Sequence, residues 1–327
     1  MSPCGPPRRA SNPRMGPPGG VPAFDPAAHP DWCSVQSADE PPAGTAAHET
    51  AWVLLEVPVR WGRDIFDGEA LGEDLSERLK AHAADCGVRV LFIRRPGREG
   101  QHIDRPHLFL CDTRPGHRGI RAGTVGGASD LLQLDLTPGA PVPGTREMAG
   151  PLALECTHGQ RDQCCAARGR PVAAGLEAAV GERLAALDPD AGVWECSHTG
   201  GHRFAPVLLL PGTGYTYGPT TVEHAARVVG AELAGRVETE HLRGRSTWTP
   251  AGQVAEVAVR GTGVEAGTDD LVVTVDPGAP LVATVTHTDG RTWRVEAGQR
   301  PLPPRRNSCR KPPTDASAWV VESLTQL

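Results

Sequence analysis

Two short stretches of the sequence hold the residue types that bind metals or exchange thiols. CTHGQRDQCCAARGRP occupies residues 156–171, and CSHTGGHRFA occupies residues 196–205. Two thiolates and two imidazoles satisfy either a tetrahedral zinc ion or a 2Fe–2S cluster in which histidines replace two cysteines. Neighbouring thiols can also act in thiol–disulfide chemistry. The two stretches therefore predict a metal centre or a thiol redox site.

The spacing within the stretches selects four candidate ligands. Eight residues separate Cys156 from Cys165, and three separate His198 from His202. Histidines that close together can face one centre only if the chain turns sharply, which the two glycines between them permit. Inside cells, grouped cysteines more often bind metals or act in redox chemistry than form structural disulfides. Zinc and a 2Fe–2S cluster both stay open on residue type alone.

The predicted elements bring these stretches together. PLALEC reads as a strand ending at Cys156, a helix follows the polar loop, and GVWECS predicts a second strand. The segment 206–218 predicts a β-hairpin, and a helix is expected over 220–235. The order β-α-β followed by ββα is typical of a thioredoxin-like domain. It places both stretches in loops at the same end of neighbouring strands.

The rest of the chain is predicted to flank this domain. A helix is expected over 70–87 and a short strand over 254–261. Met15 is an alternative translation start. The predicted class is α/β, and the expected parts are a disordered Pro/Gly-rich tail (1–45), an α/β N-terminal domain (46–147), the thioredoxin-like domain (148–236) and a β-rich C-terminal subdomain (237–327).

Charge and hydropathy argue against two classes of partner. The net charge is −6, and the arginines are scattered rather than gathered into a basic stripe, so no nucleic-acid partner is expected. No apolar run approaches the length of a membrane span, and the N-terminus lacks the apolar centre of a signal peptide. We therefore expect a cytoplasmic protein with no membrane partner.

Beyond residue types, the two stretches resemble a known family. Together with CSVQSADEPPAGTA and WVLLEVPVRWG, they are similar to the bacterial branch of the sucrase/ferredoxin-like family. The resemblance runs from about residue 31 to the C-terminal SCRKPP. It implies a thioredoxin-like ferredoxin whose 2Fe–2S cluster is held by the residues that match the family's Cys-x8-Cys and HxGGH motifs, namely Cys156, Cys165, His198 and His202.

The same resemblance also bears on the residues next to these ligands. Adjacent residues at a helix start point about 100° apart, so only one of Cys164 and Cys165 can face the cluster, and we choose Cys165. Cys164 is expected in the core or beside the ligands, and His158 beside the ligands or in solvent. Arg161 and Asp162 match the family's HGxRD. We expect Asp162 to cap the helix and Arg161 to offset negative charge.

The other cysteines are given no ligand role. Cys86 and Cys111 are expected to pack in the core as small hydrophobes, and Cys196 to face inward at the end of its strand. Cys33 and Cys309 stand in polar segments without a partner motif, so both are expected to be exposed.

One function hypothesis and two alternatives follow. The first is an iron–sulfur electron carrier, not an enzyme, in which an exposed imidazole nitrogen can couple proton uptake to reduction. Its donor and acceptor are expected to be redox proteins. The alternatives are a zinc-stapled thioredoxin-like domain with an interaction role and a thiol redox protein. Sucrase activity is not expected, because no pair of carboxylates is placed for glycoside hydrolysis.

Overall fold

Apolar runs such as AWVLLE and RVLFIR form the central strands of the molecule and are buried along most of their length. The computed structural model describes residues 24–327, so the predictions for residues 1–23 lie outside it. The strands are β1 (Ala51–Glu56), β2 (Arg89–Arg94), β3 (His107–Asp112), β4 (Gly119–Thr124), β5 (Arg146–Glu147), β6 (Leu152–Cys156), β7 (Gly192–Cys196), β8 (Leu208–Leu210), β9 (Tyr215–Tyr217), β10 (Leu242–Arg245), β11 (Leu271–Asp276), β12 (Ala279–His287), β13 (Thr292–Arg305) and β14 (Thr314–Gln326). The helices are α1 (Cys33–Gln36), α2 (Glu73–Asp85), α3 (Gln163–Ala185), α4 (Val222–Leu233) and α5 (Pro250–Gly261). No helix among the described residues has the length and apolar character needed to cross a membrane.

The strands form two separate sheets. The larger has ten strands in the order β10-β9-β8-β6-β7-β2-β1-β3-β4-β5, and the smaller has four in the order β11-β12-β13-β14. β1 is parallel to β2 and β6 is parallel to β7, whereas the other strand pairs are antiparallel. The predicted class is confirmed at this level, because the fold is a mixed α/β sheet with a separate antiparallel sheet.

Two segments of the larger sheet share one connectivity. In the first unit, residues 51–124, β1-α2-β2 is followed by β3 and β4, and the strand order is β2-β1-β3-β4. In the second unit, residues 152–233, β6-α3-β7 is followed by β8, β9 and α4, and the order is β7-β6-β8-β9. The units meet where β2 pairs with β7, with Ile93 opposite Cys196. One continuous sheet thus crosses the position at which the sequence analysis divides two domains.

Helix α3 is capped at its start and packed into the core along its second half. Asp162 caps its first turn by accepting a hydrogen bond from the Cys164 backbone N–H, as the sequence analysis expects. Further along, Leu176, Val180 and Leu184 pack into the core beside β6 and β7. The first turn of the helix is therefore held over the ends of these strands.

The segment 254–261 shows where the sequence analysis is wrong, because the predicted strand is the second half of α5. Thr249 and Pro250 begin this helix with an N-cap and a proline at the first position. The helix lies between β10 and the smaller sheet, and residues 251–256 are all buried. The apolar residues of this helix recur at helical spacing, but its valines are β-branched and favour strands, so the short segment reads as β-like.

Residues 24–45, which the sequence analysis places in a disordered tail, form an ordered part of the fold. Helix α1 buries Cys33 completely against α3. Arg203 donates to the carboxylate of Glu40 at 2.7 Å, and Arg305 pairs with Asp39 at 2.7 Å. The N-terminal segment is thereby tied to the second unit and to the end of β13.

Candidate metal centre

The centre lies where β6 and β7 end side by side. Cys156 and Cys196 are register partners at the ends of these parallel strands. After Cys156 the chain turns through a short loop into α3, and after Cys196 it enters the SHTGGH loop. Because parallel strands present their carboxyl ends at the same edge, both loops reach the same place.

Three of the four expected ligands form one group. Cys156, Cys165 and His198 each offer a ligand atom, and these atoms all lie within 4.8 Å of one another. Both cysteines are fully buried, whereas His198 is partly exposed. His202 packs against this group, since the centroids of its ring and of the His198 ring are 5.1 Å apart. Its nitrogens nevertheless fall outside the 4.8 Å group.

The turn between the two histidines requires glycine. Gly200 and Gly201 have φ values of +98° and +71°, which L-amino acids rarely adopt. A Cβ atom on Gly201 would lie 2.2 Å from the Nη2 atom of Arg243. Both the backbone angle and the packing therefore explain the Gly-Gly pair that the sequence analysis singles out.

Both histidines carry a buried nitrogen without a partner. The Nδ1 atoms of His198 and His202 accept or donate no hydrogen bond within residues 24–327. Unpaired buried polar atoms are uncommon in folded proteins because they lose their contacts with water without compensation. Two such nitrogens beside two buried thiols fit a bound metal, since coordination would satisfy them.

The backbone of His198 is held on both sides. Its N–H donates to Nδ1 of His158 at 3.1 Å, and its carbonyl accepts from Nη2 of Arg89 at 2.9 Å. Nε2 of His158 lies 2.6 Å from the carbonyl oxygen of Gly62, to which it donates. His158 is therefore buried and fully engaged, not in solvent, and it positions His198 instead of competing as a ligand.

The thiols of Cys156 and Cys165 are hydrogen-bonded to each other. Hydrogen bonds from the Cys165 and Cys196 thiols lower the pKa of Cys156 well below the usual cysteine value. The contact with Cys156, together with burial, raises the pKa of Cys165. Because thiolates are the metal ligands, a bound metal would favour loss of both thiol protons.

A second arginine, which the sequence analysis does not name, lies close to these thiols. Arg243 is completely buried and donates to the Gly200 carbonyl at 3.0 Å. Burial and the neighbouring Arg203 lower the pKa of Arg243 to about 9, while negative charge at Cys156 opposes that shift. Arg161, by contrast, is partly exposed and lies 3.7 Å from Asp64. Nothing in the local sequence around Arg243 marks it, because it reaches the centre from β10.

A second group of cysteines lies on the other side of the α3 start. Cys33, Cys164 and Cys309 come together with Asp162, and their ligand atoms also lie within 4.8 Å of one another. The expectation that Cys33 is exposed is wrong, because its exposed fraction is 0%. Cys309 is only partly exposed. No motif could have paired two single cysteines that are 276 residues apart.

Comparison with known proteins gives one match. A family model described as Suc_Fer-like, sucrase/ferredoxin-like, matches residues 42–244. Searches of curated proteins and of solved structures found no match. The matched region covers most of the chain and contains the whole ten-stranded sheet apart from the last residue of β10, but it excludes Cys33, Cys309 and the smaller sheet.

Proposed function

This chain belongs to the sucrase/ferredoxin-like family, and from that premise we propose that it is an electron carrier holding one 2Fe–2S cluster. The proposed ligands are Cys156, Cys165, His198 and His202. The observation that carries the proposal is the meeting of two buried thiols with two imidazoles whose Nδ1 atoms have no partner among the described residues. The cluster would sit on the second unit, which we interpret as thioredoxin-like.

The position of His202 favours two metal ions over one. The four donors around a single zinc ion lie about 3.3–3.8 Å from each other, as Zn–S and Zn–N bonds of about 2.3 and 2.0 Å at tetrahedral angles require. No nitrogen of His202 lies within 4.8 Å of all three of the other ligand atoms. That wider spacing supports a centre with two irons, in which the cysteines and the histidines bind different ions.

When bound, a 2Fe–2S cluster supplies a one-electron redox couple. The residues set the charge around it. Two imidazoles replace two thiolates, so the protein contributes two fewer negative charges than an all-cysteine site would. The buried guanidinium of Arg243 adds a positive charge nearby. Both effects favour the reduced state and predict a higher potential than that of an all-cysteine ferredoxin.

His202 also provides a route for proton coupling. Its Nε2 lies 3.8 Å from Oδ2 of Asp162, and its side chain is 17% exposed. With Nδ1 directed to the metal, Nε2 carries the proton that can be lost as pH rises. We therefore propose that the potential falls with rising pH, by up to about 59 mV per pH unit for one proton per electron. A flat potential between about pH 6 and 9 would exclude the coupling but not the cluster.

The partners proposed for this site are redox proteins. An open pocket beside His198 is lined by charged side chains from both units, among them Glu49, Arg63, Asp64 and Arg161. Charged rims of this kind steer a partner of complementary charge and favour fast, transient encounters. We propose that electrons enter and leave on this side, where the imidazole is nearest to solvent, and that the chain catalyses no sugar hydrolysis.

Chemical analysis tests this function. Anaerobically purified full-length protein is expected to contain two irons and two sulfides per chain and to absorb visible light. Cys165→Ser should abolish the iron, the sulfide and the colour. Cys111→Ala, which removes a buried thiol of the first unit, should keep all three. Wild-type protein that is colourless and contains no iron, with zinc bound in a manner that depends on Cys165, would contradict the proposal.

A further inference from the structure

Three cysteines from distant segments meet at the start of α3. The sulfur of Cys164 lies 3.6 Å from that of Cys33 and 3.2 Å from that of Cys309, and the remaining side of the triangle is 3.5 Å. Cys33 belongs to α1, Cys164 to the first turn of α3 and Cys309 to the loop between β13 and β14. The expected electron-transfer site uses none of them.

A fourth donor faces this triangle. Oδ1 of Asp162 lies 3.7 Å from the Cys33 sulfur and accepts one other hydrogen bond, from the Cys164 backbone N–H. Its partner oxygen, Oδ2, accepts from the Ser308 hydroxyl at 2.8 Å and from the Cys309 N–H at 2.9 Å. These bonds fix the carboxylate, and loss of the Cys33 proton would free one lone pair of Oδ1 for a metal ion.

The size of the triangle indicates what would fit. Three sulfurs at these separations lie about 2.0 Å from their common centre, whereas a Zn–S bond is about 2.3 Å long. An ion bonded to all three must therefore stand out of the sulfur plane, with room for a fourth ligand. Three thiolates and one carboxylate oxygen make a closed four-coordinate set, which is typical of structural zinc.

Hydrogen-bond donors and a cation face the sulfur atoms of this group. The hydrogen bonds with Cys164 and Cys309, together with burial, raise the pKa of the Cys33 thiol, so a bound metal would have to displace that proton. The Cys33 backbone N–H donates to the Cys309 sulfur at 3.3 Å, and the Ser34 hydroxyl donates to the Cys164 sulfur at 3.2 Å. The half-buried guanidinium of Arg168 lies close enough to Cys33 and Cys164 to interact with their charge. Donors and a cation directed at sulfur stabilise the charged form that binds metal.

We propose that Cys33, Cys164, Cys309 and Asp162 form a second metal site that binds one zinc ion. The ion would clamp the N-terminal segment and the loop 306–311 onto the start of α3. The Asn307 backbone of that loop faces the His202 ring, and Asp162 lies against the same ring. The zinc ion would therefore hold the loop 306–311 in place against the His202 ring. Two of the four donors, Cys33 and Cys309, lie outside residues 42–244, which the family model matches.

Metal analysis of full-length variants tests the site. Wild-type protein purified with zinc in the buffer and freed of loosely bound metal is expected to hold one zinc per chain in addition to its iron. Cys33→Ser and Cys309→Ala should each lose the zinc and keep the iron and the visible spectrum. Cys86→Ala removes a thiol outside both groups and should lose neither. Cobalt(II) added to zinc-free protein should give thiolate charge-transfer absorption in wild type but not in Cys309→Ala.

The outcomes separate this inference from the proposed function. If the wild type holds iron but no zinc, the second site is refuted and the cluster proposal is not. The same conclusion follows if Cys33→Ser and Cys309→Ala both keep their zinc. Wild type with one zinc that depends on Cys33 and Cys309, but without iron, would support the second site and contradict the cluster. Alkylation followed by mass spectrometry adds a further criterion. If the three thiols become reactive after a chelator, metal protects them; if they need a reductant, a disulfide has formed and the inference fails.

Discussion

The two units of the large sheet have the same connectivity, but they differ in the residues at the start of their first helix. In the first, β1 leads through a long loop to α2, whose N-cap is Gly72 and has no side-chain cap. In the second, β6 leads through a short loop to α3, which Asp162 caps and whose first turn carries two cysteines. The common topology fixes where a loop and a helix start stand, and the residues in that loop decide whether metal chemistry occurs there.

The first unit supports the second instead of duplicating it. The carbonyl oxygen of Gly62, in the loop after β1, accepts the hydrogen bond from His158 that positions His198. Arg89, at the start of β2, donates to the His198 carbonyl. One unit therefore carries the proposed ligands, and the other provides two of the contacts that orient His198. Substitutions at equivalent positions of the two units test this division of roles.

The largest contrast is expected between Cys165→Ser and Leu75→Ser, the third residues of α3 and α2. Cys165→Ser should lose essentially all cluster iron, because a neutral hydroxyl replaces a thiolate ligand. Leu75→Ser should keep the iron and lower the thermal midpoint by only a few degrees, about 1 kcal/mol at a half-buried apolar position. Iron content and thermal unfolding measure both, and equal iron loss in the two variants would refute the division of roles.

A smaller contrast is expected between two glycines with positive φ. Gly201→Ala must accommodate a Cβ atom 2.2 Å from the Arg243 guanidinium, whereas Gly72→Ala meets nothing within 4 Å. The backbone strain costs about 1–2 kcal/mol at Gly201, which is left-handed helical, and about 1–3 kcal/mol at Gly72, whose φ of +82° and ψ of +156° lie in a region almost restricted to glycine. Denaturant unfolding should therefore show a loss of stability in both variants, with loss of iron only in Gly201→Ala. Similar losses of stability with iron retained in both would contradict the close packing of Arg243 under the turn.

The charge of Arg243 is expected to shift the reduction potential. Arg243→Met should lower the potential by about 50–100 mV, because one charge at about 10 Å contributes about 1.7 kcal/mol at an effective dielectric constant of about 20. Arg161→Met removes a partly exposed guanidinium that faces Asp64, and its effect should be several times smaller. Spectroelectrochemical titration of both variants measures this. A larger shift in Arg161→Met would place the charge balance where the sequence analysis expected it.

The last prediction concerns the pH dependence of stability and the contact between the units. Burial lowers the pKa of His158, so the folded protein holds this imidazole neutral. The unfolded chain then binds more protons below about pH 6.5, and stability is lost as pH falls through that value. His158→Gln should flatten part of that decline between pH 7 and 5, at a cost of about 1–3 kcal/mol at neutral pH. Denaturant unfolding against pH checks it, with the exposed His102→Gln as a control that should change neither quantity.

The sequence predicts which Cys and His residues come together better than it predicts the framework around them. Each ligand pair lies within one contiguous motif, so spacing and the Gly-Gly turn already restrict its geometry. Arg243, Cys33 and Cys309 are isolated in sequence and reach their sites only through the pairing of β10, the position of α1 and the loop after β13. Local patterns carry no information about such approaches. The shared connectivity of the two units is likewise invisible, since it is a repeat of topology without a repeat of residues.

The prediction for α5 was wrong for a different physical reason. Its valines are β-branched and favour strands, so a short segment that contains three of them reads as β-like although its buried residues recur at helical spacing. The contacts that select the helix are largely tertiary. Glu256 accepts from Arg260 at 3.0 Å and from Trp248 Nε1 at 2.9 Å, and Gln253 bonds the backbone of Ala46. Local patterns do not show these contacts.

Pulsed electron paramagnetic resonance on the chemically reduced protein, with ¹⁵N-labelled histidine, tests the central claim most directly. The account predicts hyperfine couplings from two histidine nitrogens on one 2Fe–2S cluster. His202→Cys should remove one of them, keep the cluster and lower its potential, since a thiolate adds negative charge. A reduced cluster without histidine nitrogen couplings, or couplings unchanged in His202→Cys, would contradict the assignment of His198 and His202 as ligands.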